Sequence, residues 1–435
     1  MRKQNKIGMA CVAILMMSSL GLLSCQGGKT AAGMEEGGDT LQMKYAQLLT
    51  IVSHEEGSYT EVKIHNPWKE GTELHRYILV PKGKEGDATM AKLAGQQGEG
   101  KAAAAPLGVK TDTVRTPLES NLVFTAPHCQ LLTELGCQNA ITGVCDKDYI
   151  NIPDIKNRTK IVYGKASDSS SDAAHPIMDC GSSMQPDIER IIALHPEALL
   201  ISPFENSGGY GKLDKLRTPI IETADYMETS PLGRAEWIKF YGLLFGSEER
   251  RVKSEEFNSS SDVKGGSLSK ADSLFAAIEK EYLQLKAEAA KLPQGLSILT
   301  ERKTGNVWYV PGGKSTMGIL LRDAHARYIF ADDTHSGSLS MSPEQILAKG
   351  NQIDVWAFKY FGGNALSKPD LLAEYQGCQA LKAFQSGCIY ETDTSREPYF
   401  ELTSFHPEIL LREFIILSHP EVGDKFGKLR FYKKY

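Results

Sequence analysis

Several signatures of common protein classes are missing from this sequence of 435 residues. A formal net charge of -5 excludes the basic footprint of a nucleic-acid-binding protein. No Gly-x-Ser-x-Gly or His-Glu-x-x-His motif is present, and no two cysteines have the Cys-x-x-Cys spacing of zinc or redox sites. The sequence therefore predicts no enzymatic activity, no cofactor and no nucleic-acid partner.

Two motifs look catalytic but have structural explanations. The segment GGKST resembles a phosphate-binding loop, yet the first glycine of that motif would fall at Trp308, within a predicted strand. Three His-Pro-Glu triplets begin at His195, His406 and His419, where proline in the first turn of a helix or loop explains them. Neither motif predicts chemistry.

The amino terminus has the pattern of an export signal. Arg2, Lys3 and Lys6 precede an uncharged apolar run, so residues 1–24 are predicted to be a signal peptide. The sequence LLSC places Cys25 where the lipidated cysteine of bacterial lipoproteins lies. We expect residues 25–42 to form a lipidated, flexible tether that holds the protein in the periplasm at a membrane of the cell envelope.

Six further cysteines are spread over the exported chain. Bridges are possible in an exported protein, and Cys378 and Cys388 form the most plausible pair. Buried free thiols are the alternative, because a chain of this size does not need disulfides.

The remaining length and pattern predict two α/β lobes. About 400 residues exceed the usual limit of roughly 250 to 300 for one core. The first lobe, 43–247, begins with two predicted strands, 59–64 and 75–80, and a glycine- and alanine-rich segment, 82–105, that we expect to be an exposed loop.

A βαβ pattern follows in the first lobe. The strand LVFT leads through His128 to a helix that stops at Gly136, and the strand ITGV comes next. Further on, a helix over 186–194 precedes the strand LLIS, the glycine-rich loop 203–211 and the strand PIIE. Ligands of such units bind at the carboxyl ends of the strands.

A long amphipathic helix is predicted over 271–292. Its apolar residues recur at three- and four-residue steps, and Pro293 and Gly295 end it. It either joins two lobes or lies on the surface of one domain. A charged, serine-rich insertion, 248–270, precedes the helix, and strands and helices alternate again in the second lobe, 293–435.

The segment with "ALHPEALLIS" and "TPIIE", together with the long helix and the second half, resembles the periplasmic binding proteins for cobalamin and iron chelates. The resemblance implies an α/β fold of two Rossmann-like lobes joined by one long helix, with the ligand in the cleft between them. It also implies a partner, an ABC permease dimer with its ATPase. The implied ligand is an iron chelate, siderophore or haem; cobalamin is the alternative, and an envelope enzyme or structural protein that reuses the fold is the alternative of another class.

Two glutamates match the positions with which this family docks to its permease. Glu189 and Glu344 each lie in the first turn of a helix that precedes a strand, one in each lobe. Carboxylates held far apart on rigid helices suit arginine pockets on a partner. Alternatively, each is a solvated glutamate that the helix dipole favours.

The cleft candidates follow from the carboxyl ends of the predicted strands. Aromatic rings suit a flat chelate, and lysine or arginine suits its carboxylates or a negatively charged iron centre. His128 is either a metal ligand or a hydrogen-bonded histidine. The candidates are His128, Tyr163, Phe204, Glu205, Tyr210, Trp308, Tyr309, Ser315, Lys359, Tyr360, Arg396 and Tyr399.

Overall fold

The structure is a computed structural model, and it describes residues 38–54, 58–98, 109–161, 175–205, 209–246 and 270–435. The signal peptide, Cys25, Tyr163 and the insertion up to residue 269 lie outside these residues. The tether was predicted too long, because strand pairing already begins at Asp39.

The strands of the first half are β1 (Asp39–Leu41), β2 (Leu49–His54), β3 (Tyr59–His65), β4 (Glu73–Pro81), β5 (Lys110–Thr116), β6 (Asn121–Val123), β7 (Ile141–Val144), β8 (Met178–Asp179), β9 (Gly181–Ser182), β10 (Gln185–Pro186), β11 (Ala198–Ile201) and β12 (Ile220–Glu222). Those of the second half are β13 (Ile298–Leu299), β14 (Lys303–Thr304), β15 (Val307–Pro311), β16 (Ser338–Met341), β17 (Val355–Tyr360), β18 (Ile389–Asp393) and β19 (Lys433–Lys434).

The helices are α1 (Lys84–Gly98), α2 (Ala126–Glu134), α3 (Pro153–Arg158), α4 (Ile188–Leu194), α5 (Pro231–Glu236), α6 (Ile238–Phe245), α7 (Lys270–Ala289), α8 (Thr316–Asp323), α9 (Pro343–Leu347), α10 (Lys368–Glu374), α11 (Lys382–Ser386), α12 (Tyr399–Thr403) and α13 (Pro407–Ser418).

Each lobe is built on a sheet with parallel strands. The first lobe has the order β12-β11-β6-β7-β8, all parallel, so the order reverses beside β6. The second lobe has the order β13-β17-β18-β19, in which only β19 is antiparallel. In such sheets the ligand crevice lies at the carboxyl ends of the strands. The predicted fold class, two α/β lobes joined by one long helix, is confirmed.

An additional sheet precedes the first lobe. Its order is β1-β2-β3-β4-β5, antiparallel except for the parallel pair β4 and β5. Two predicted strands belong to it as β3 and β4, but their separate sheet was not foreseen. Its buried face, which includes Val62 and Tyr77, joins the core of the lobe.

The predicted exposed loop 82–105 is wrong over most of its length, because α1 occupies residues 84–98. The alanines, lysines and glutamines of this segment are strong helix formers, and they outweigh its glycines. Residues 99–108 lie outside the described part of the chain.

Helix α7 corresponds to the predicted 271–292 helix and packs against both lobes. Its first half contacts α6, and α13 of the second lobe packs along it. Its buried stripe is Ala271, Phe275, Ile278, Tyr282, Leu285 and Ala289. A Cβ on Gly242 of α6 would lie 2.5 Å from Cβ of Ala271, so only glycine permits this close approach.

The six cysteines of the described residues are free thiols. Five of them are buried, and burial raises the pKa of the Cys129 thiol to about 12. Cys378 and Cys388, the most plausible disulfide pair by spacing, are therefore not bridged.

A partly buried charge cluster ties the second lobe to the first. His406, directly before α13, has its Nε2 2.8 Å from Oε2 of Glu134 in α2 and its Nδ1 2.7 Å from Oε1 of Glu408. Burial disfavours the charged ring, but the two carboxylates outweigh it and raise the pKa of His406 to about 10. The histidine is thus a cation at neutral pH.

We expect His406→Gln to lower the free energy of unfolding by about 3 kcal/mol at pH 6, because the buried Glu408 and the half-buried Glu134 lose their shared cation. The stabilisation is complete below the ordinary histidine pKa of roughly 6.5. It is lost as the pH rises through about 10 in the folded state. Denaturant unfolding of both proteins at pH 6 and pH 10.5 measures this difference, and an equal difference at the two pH values would contradict the assignment.

Candidate functional site

The two lobes meet at the carboxyl ends of their parallel strands. Tyr149 follows β7 and Phe361 follows β17, and their ring centroids lie 5.0 Å apart. Both rings stay accessible, with 61% and 55% of their surface exposed. Beside them Asn151 donates its backbone N–H to Oε1 of Glu401 at 2.7 Å. The crevice that the fold predicts is therefore lined from both sides.

A cavity of about 510 Å³ opens at the second-lobe side of this crevice. Its walls come from the residues after β13, from the end of β17 and from the segment that leads to α10. The lining residues are Glu301, Arg302, Lys303, Thr304, Lys359, Tyr360, Phe361, Gly362, Asn364, Ala365, Leu366 and Asp370. This volume lies within the range of small-molecule sites, roughly 300 to 1,000 Å³.

An ion pair fixes two charged side chains of the cavity wall. Lys359 Nζ lies 2.5 Å from Oε1 of Glu301. Burial would lower the pKa of Lys359, but the Glu301 carboxylate outweighs burial and raises it. Two indole N–H groups, of Trp308 and Trp356, donate to the backbone oxygen of Glu301 at 2.9 Å each. The loop that carries Glu301 is therefore fixed by the core beneath it.

Tyr360, at the end of β17, also lines the cavity and is fixed by a hydrogen bond. Its Oη donates to the backbone oxygen of Asn364 at 2.9 Å. Burial, reinforced by Glu391, raises the pKa of Tyr360 to about 12, so the phenol is neutral in the physiological range. A neutral ring with a fixed hydroxyl can stack on a ligand.

His128 lies in the core of the first lobe. Its Nε2 is 3.0 Å from Oδ1 of Asp225 and 2.9 Å from the Tyr241 hydroxyl, and its Nδ1 contacts the Thr125 hydroxyl. Burial would raise the pKa of Asp225, but His128 and Arg234 outweigh burial and lower it. Because both ring nitrogens have partners and the residue is 3% exposed, His128 is a hydrogen-bonded residue of the core and does not line the crevice.

Three further candidates are buried structural residues. Trp308 and Tyr399 are at most 1% exposed, and their rings pack against Trp356 and Tyr432 respectively. Ser315 caps α8, where its hydroxyl accepts the N–H of Gly318 at 3.1 Å. Strand alternation cannot tell an inward ring from a ring at the cleft, which explains the choice of Trp308 on β15.

The other candidates are accessible to different degrees. Phe204 and Glu205 are exposed directly after β11, and Arg396 is exposed after β18. Tyr210 is half-buried, and its hydroxyl donates to Oε1 of Glu222 at 2.9 Å. Tyr309 is exposed on β15 but does not line the cavity. The cavity thus brings together only Lys359 and Tyr360 of the predicted set.

The sequence argument missed Tyr149, Glu301, Arg302 and Phe361. Each follows a predicted strand by a few residues at most, so the rule used for the other candidates would have found them. The described residues hold no group of three or more His, Cys, Asp or Glu side chains arranged to bind a metal ion.

Two α/β lobes on one helix, with a lined crevice between them, are the architecture of a ligand-binding protein. Residues 266–395 match the family described as periplasmic binding protein. Binding proteins of this class bind small molecules and work with ABC transporters. Within the described ranges, no helix combines the length and the apolar character needed to cross a membrane.

An uncharacterized lipoprotein of Methanocaldococcus jannaschii is 20% identical over 457 residues, which covers 100% of this chain and 97% of the relative. The chain is also similar to the structure of an ABC-type Fe3+-hydroxamate transport system from Saccharomonospora viridis, with 16% sequence identity and a TM-score of 0.49. The match covers 71% of this chain and 94% of that chain. A periplasmic heme binding protein from Pseudomonas aeruginosa is 16% identical to this chain, with a TM-score of 0.48. That match covers 70% of this chain and 92% of the heme binding protein.

We expect Trp308→Ala to destabilise the protein by about 3 to 5 kcal/mol, because it leaves a large cavity in the second lobe. Tyr309→Ala, on the same strand but exposed, should change stability by less than about 0.5 kcal/mol. Urea unfolding of both variants gives the comparison. A Trp308 variant as stable as the Tyr309 variant would show that the indole is not part of the core.

Proposed function

We propose that this chain is the lipid-anchored substrate-binding component of an ABC importer, and that it captures a metal chelate in the crevice between its lobes. The ligand is an iron complex of a siderophore or haem; cobalamin is the alternative. The observation that carries the proposal is the accessible ring pair Tyr149 and Phe361, one from each lobe, at the mouth of a cavity of about 510 Å³.

Exposed aromatic rings at a crevice support the capture of a flat or compact chelate. A ring offers a large contact area at a small cost in side-chain entropy, and here Tyr149, Tyr360 and Phe361 lie at one crevice. The family match over 266–395 supports the same class of ligand-binding protein. The cavity in the second lobe would hold the body of the chelate, while Tyr149 covers it from the first lobe.

Two exposed carboxylates support delivery to a permease. Glu189 lies in the first turn of α4 and Glu344 in the first turn of α9, and both are exposed. Hydrogen bonds from the backbone of Glu344 and from Ser342 lower the pKa of Glu344, so it is an anion at neutral pH. Because each helix precedes a parallel strand, its first turn lies toward the cleft end of its lobe.

The cleft assignment predicts that Phe361→Ala and Tyr149→Ala each weaken chelate binding by about 1 to 3 kcal/mol, because a stacking ring is lost. The Tyr309→Ala variant is the aromatic control outside the cavity and should bind normally. Fluorescence titration of the domain after Cys25 with haem, ferric siderophores and cobalamin supplies the affinities. Unchanged affinity in both cleft variants would mean that the chelate lies elsewhere.

The docking assignment predicts that the double variant Glu189→Lys, Glu344→Lys abolishes uptake in cells while it binds the chelate as tightly as the unmodified protein. Charge reversal turns attraction to arginine pockets into repulsion without touching the cavity. Labelled-chelate uptake and the titration above are measured side by side. A clear loss of affinity would place these residues in the crevice or the fold instead.

A further inference from the structure

Two cations at the second-lobe wall of the crevice are already neutralised by carboxylates of the protein. Lys359 pairs with Glu301 at 2.5 Å, and Arg302 Nη2 lies 3.0 Å from Oε2 of Glu374. Each of these basic groups has a carboxylate within contact distance. An incoming anion would have to displace that carboxylate before it could use the cation.

The exposed Arg396 is also paired with a carboxylate, because its Nε lies 3.6 Å from Oδ2 of Asp393. Lys303 is the remaining cation of the cavity lining, and its Nζ donates to the backbone oxygen of Gly305 at 2.5 Å. Asp370 lines the same cavity and adds a negative charge. The second-lobe wall therefore carries no excess of positive charge.

The first-lobe wall is acidic. Lys147 Nζ is 2.9 Å from Oδ1 of Asp148 and 3.8 Å from Oδ2 of Asp179. Asp146 adds a third carboxylate to this edge, where its Oδ1 accepts the N–H of Ser183 at 3.2 Å. Lys156, whose Nζ donates to Oδ1 of Asn151 at 2.6 Å, is the second lysine near Tyr149. Two lysines and three carboxylates leave this edge with a small excess of negative charge.

From this distribution of charge we infer that the chelate carries no net negative charge: it is a neutral or cationic complex, such as a ferric hydroxamate, rather than a ferric catecholate or a dicarboxylate macrocycle. The inference rests on the proposed capture of a metal chelate. It differs from the expectation that Lys359 and Arg396 meet carboxylates of the ligand, because both already meet carboxylates of the protein. Like charges in a crevice of low dielectric repel an anion, whereas rings and amides accept a neutral complex.

A series of chelates that differ only in charge tests the inference. The ferric complex of a linear trihydroxamate with a free ammonium group has a charge of about +1, its N-acetyl derivative is neutral, and its N-succinyl derivative is an anion. Dissociation constants at low salt for the domain after Cys25 should rise from the cation through the neutral complex to the anion. We expect the anion to bind about tenfold more weakly than the cation.

Glu301→Gln should change the dissociation constants of these three chelates to different extents. The substitution keeps the shape of the side chain and the two indole hydrogen bonds to the backbone, but it frees Lys359. The anion should then bind about three- to tenfold more tightly, while the cation binds no better. Glu288→Gln is the matched control, because it breaks an ion pair with Lys425 and neither residue lines the cavity. It should leave all three dissociation constants unchanged.

The outcomes separate the two proposals. Tightest binding of the N-succinyl complex, or of haem alone, would overturn the charge inference and leave the proposed function intact. Binding of cobalamin but not haem would support both. Failure of the hydroxamates, haem and cobalamin alike would overturn the capture of a metal chelate, and the charge inference with it.

Discussion

The close packing of α7 is the constraint on which the rest of the structure depends. One apolar stripe on this helix is buried by helices of the first lobe and by α13 of the second, so one hydrophobic cluster extends from the first lobe into the second. Gly242 lets α6 approach Ala271 to the limit of contact. Because close-packed interiors do not deform continuously and a continuous helix hinges poorly, we expect the relative motion of the lobes to be small.

A fixed relation between the lobes has a direct consequence for the crevice. The carboxyl ends of the two sheets face each other, and the rings of Tyr149 and Phe361 are already in contact. Asn151 and His406 add polar links between the lobes, to Glu401 and Glu134 respectively. Such a site is largely preformed, so less of the binding energy is spent on closing it.

The sequence predicted the elements well and the site residues poorly, for physical reasons that particular residues illustrate. Short apolar runs and three- to four-residue periodicity identify the parallel strands and α7, because these patterns are local. The burial of His128 depends on Asp225, which is 97 residues away, and no local pattern reports that contact. Trp308 and Tyr309 are neighbours on one strand, yet one is core and the other is exposed. Strand period alone leaves open which of the two faces the core.

Local patterns predicted two strands of the amino-terminal sheet but not that they form a separate sheet, which has a role in positioning the first lobe. His75 of β4 lies between Asp112 of β5 and Glu222 of β12, at 3.1 and 3.2 Å. The Tyr77 hydroxyl donates to the backbone oxygen of Ile220 and accepts the N–H of Glu222, both at 2.8 Å. These bonds satisfy backbone groups of β12, the edge strand of the parallel sheet, which would otherwise offer a template for pairing with another chain.

Buried glutamates attach the start of the described chain in the same way. Glu236 of α5 accepts the N–H groups of Lys44, Tyr45 and Ala46, and Glu228 accepts those of Gln47 and Leu48. Five successive backbone donors are thereby fixed beside α7, to which Tyr45 also bonds through Glu279 at 2.6 Å. Since unpaired buried donors are costly, these carboxylates determine where the amino-terminal segment lies.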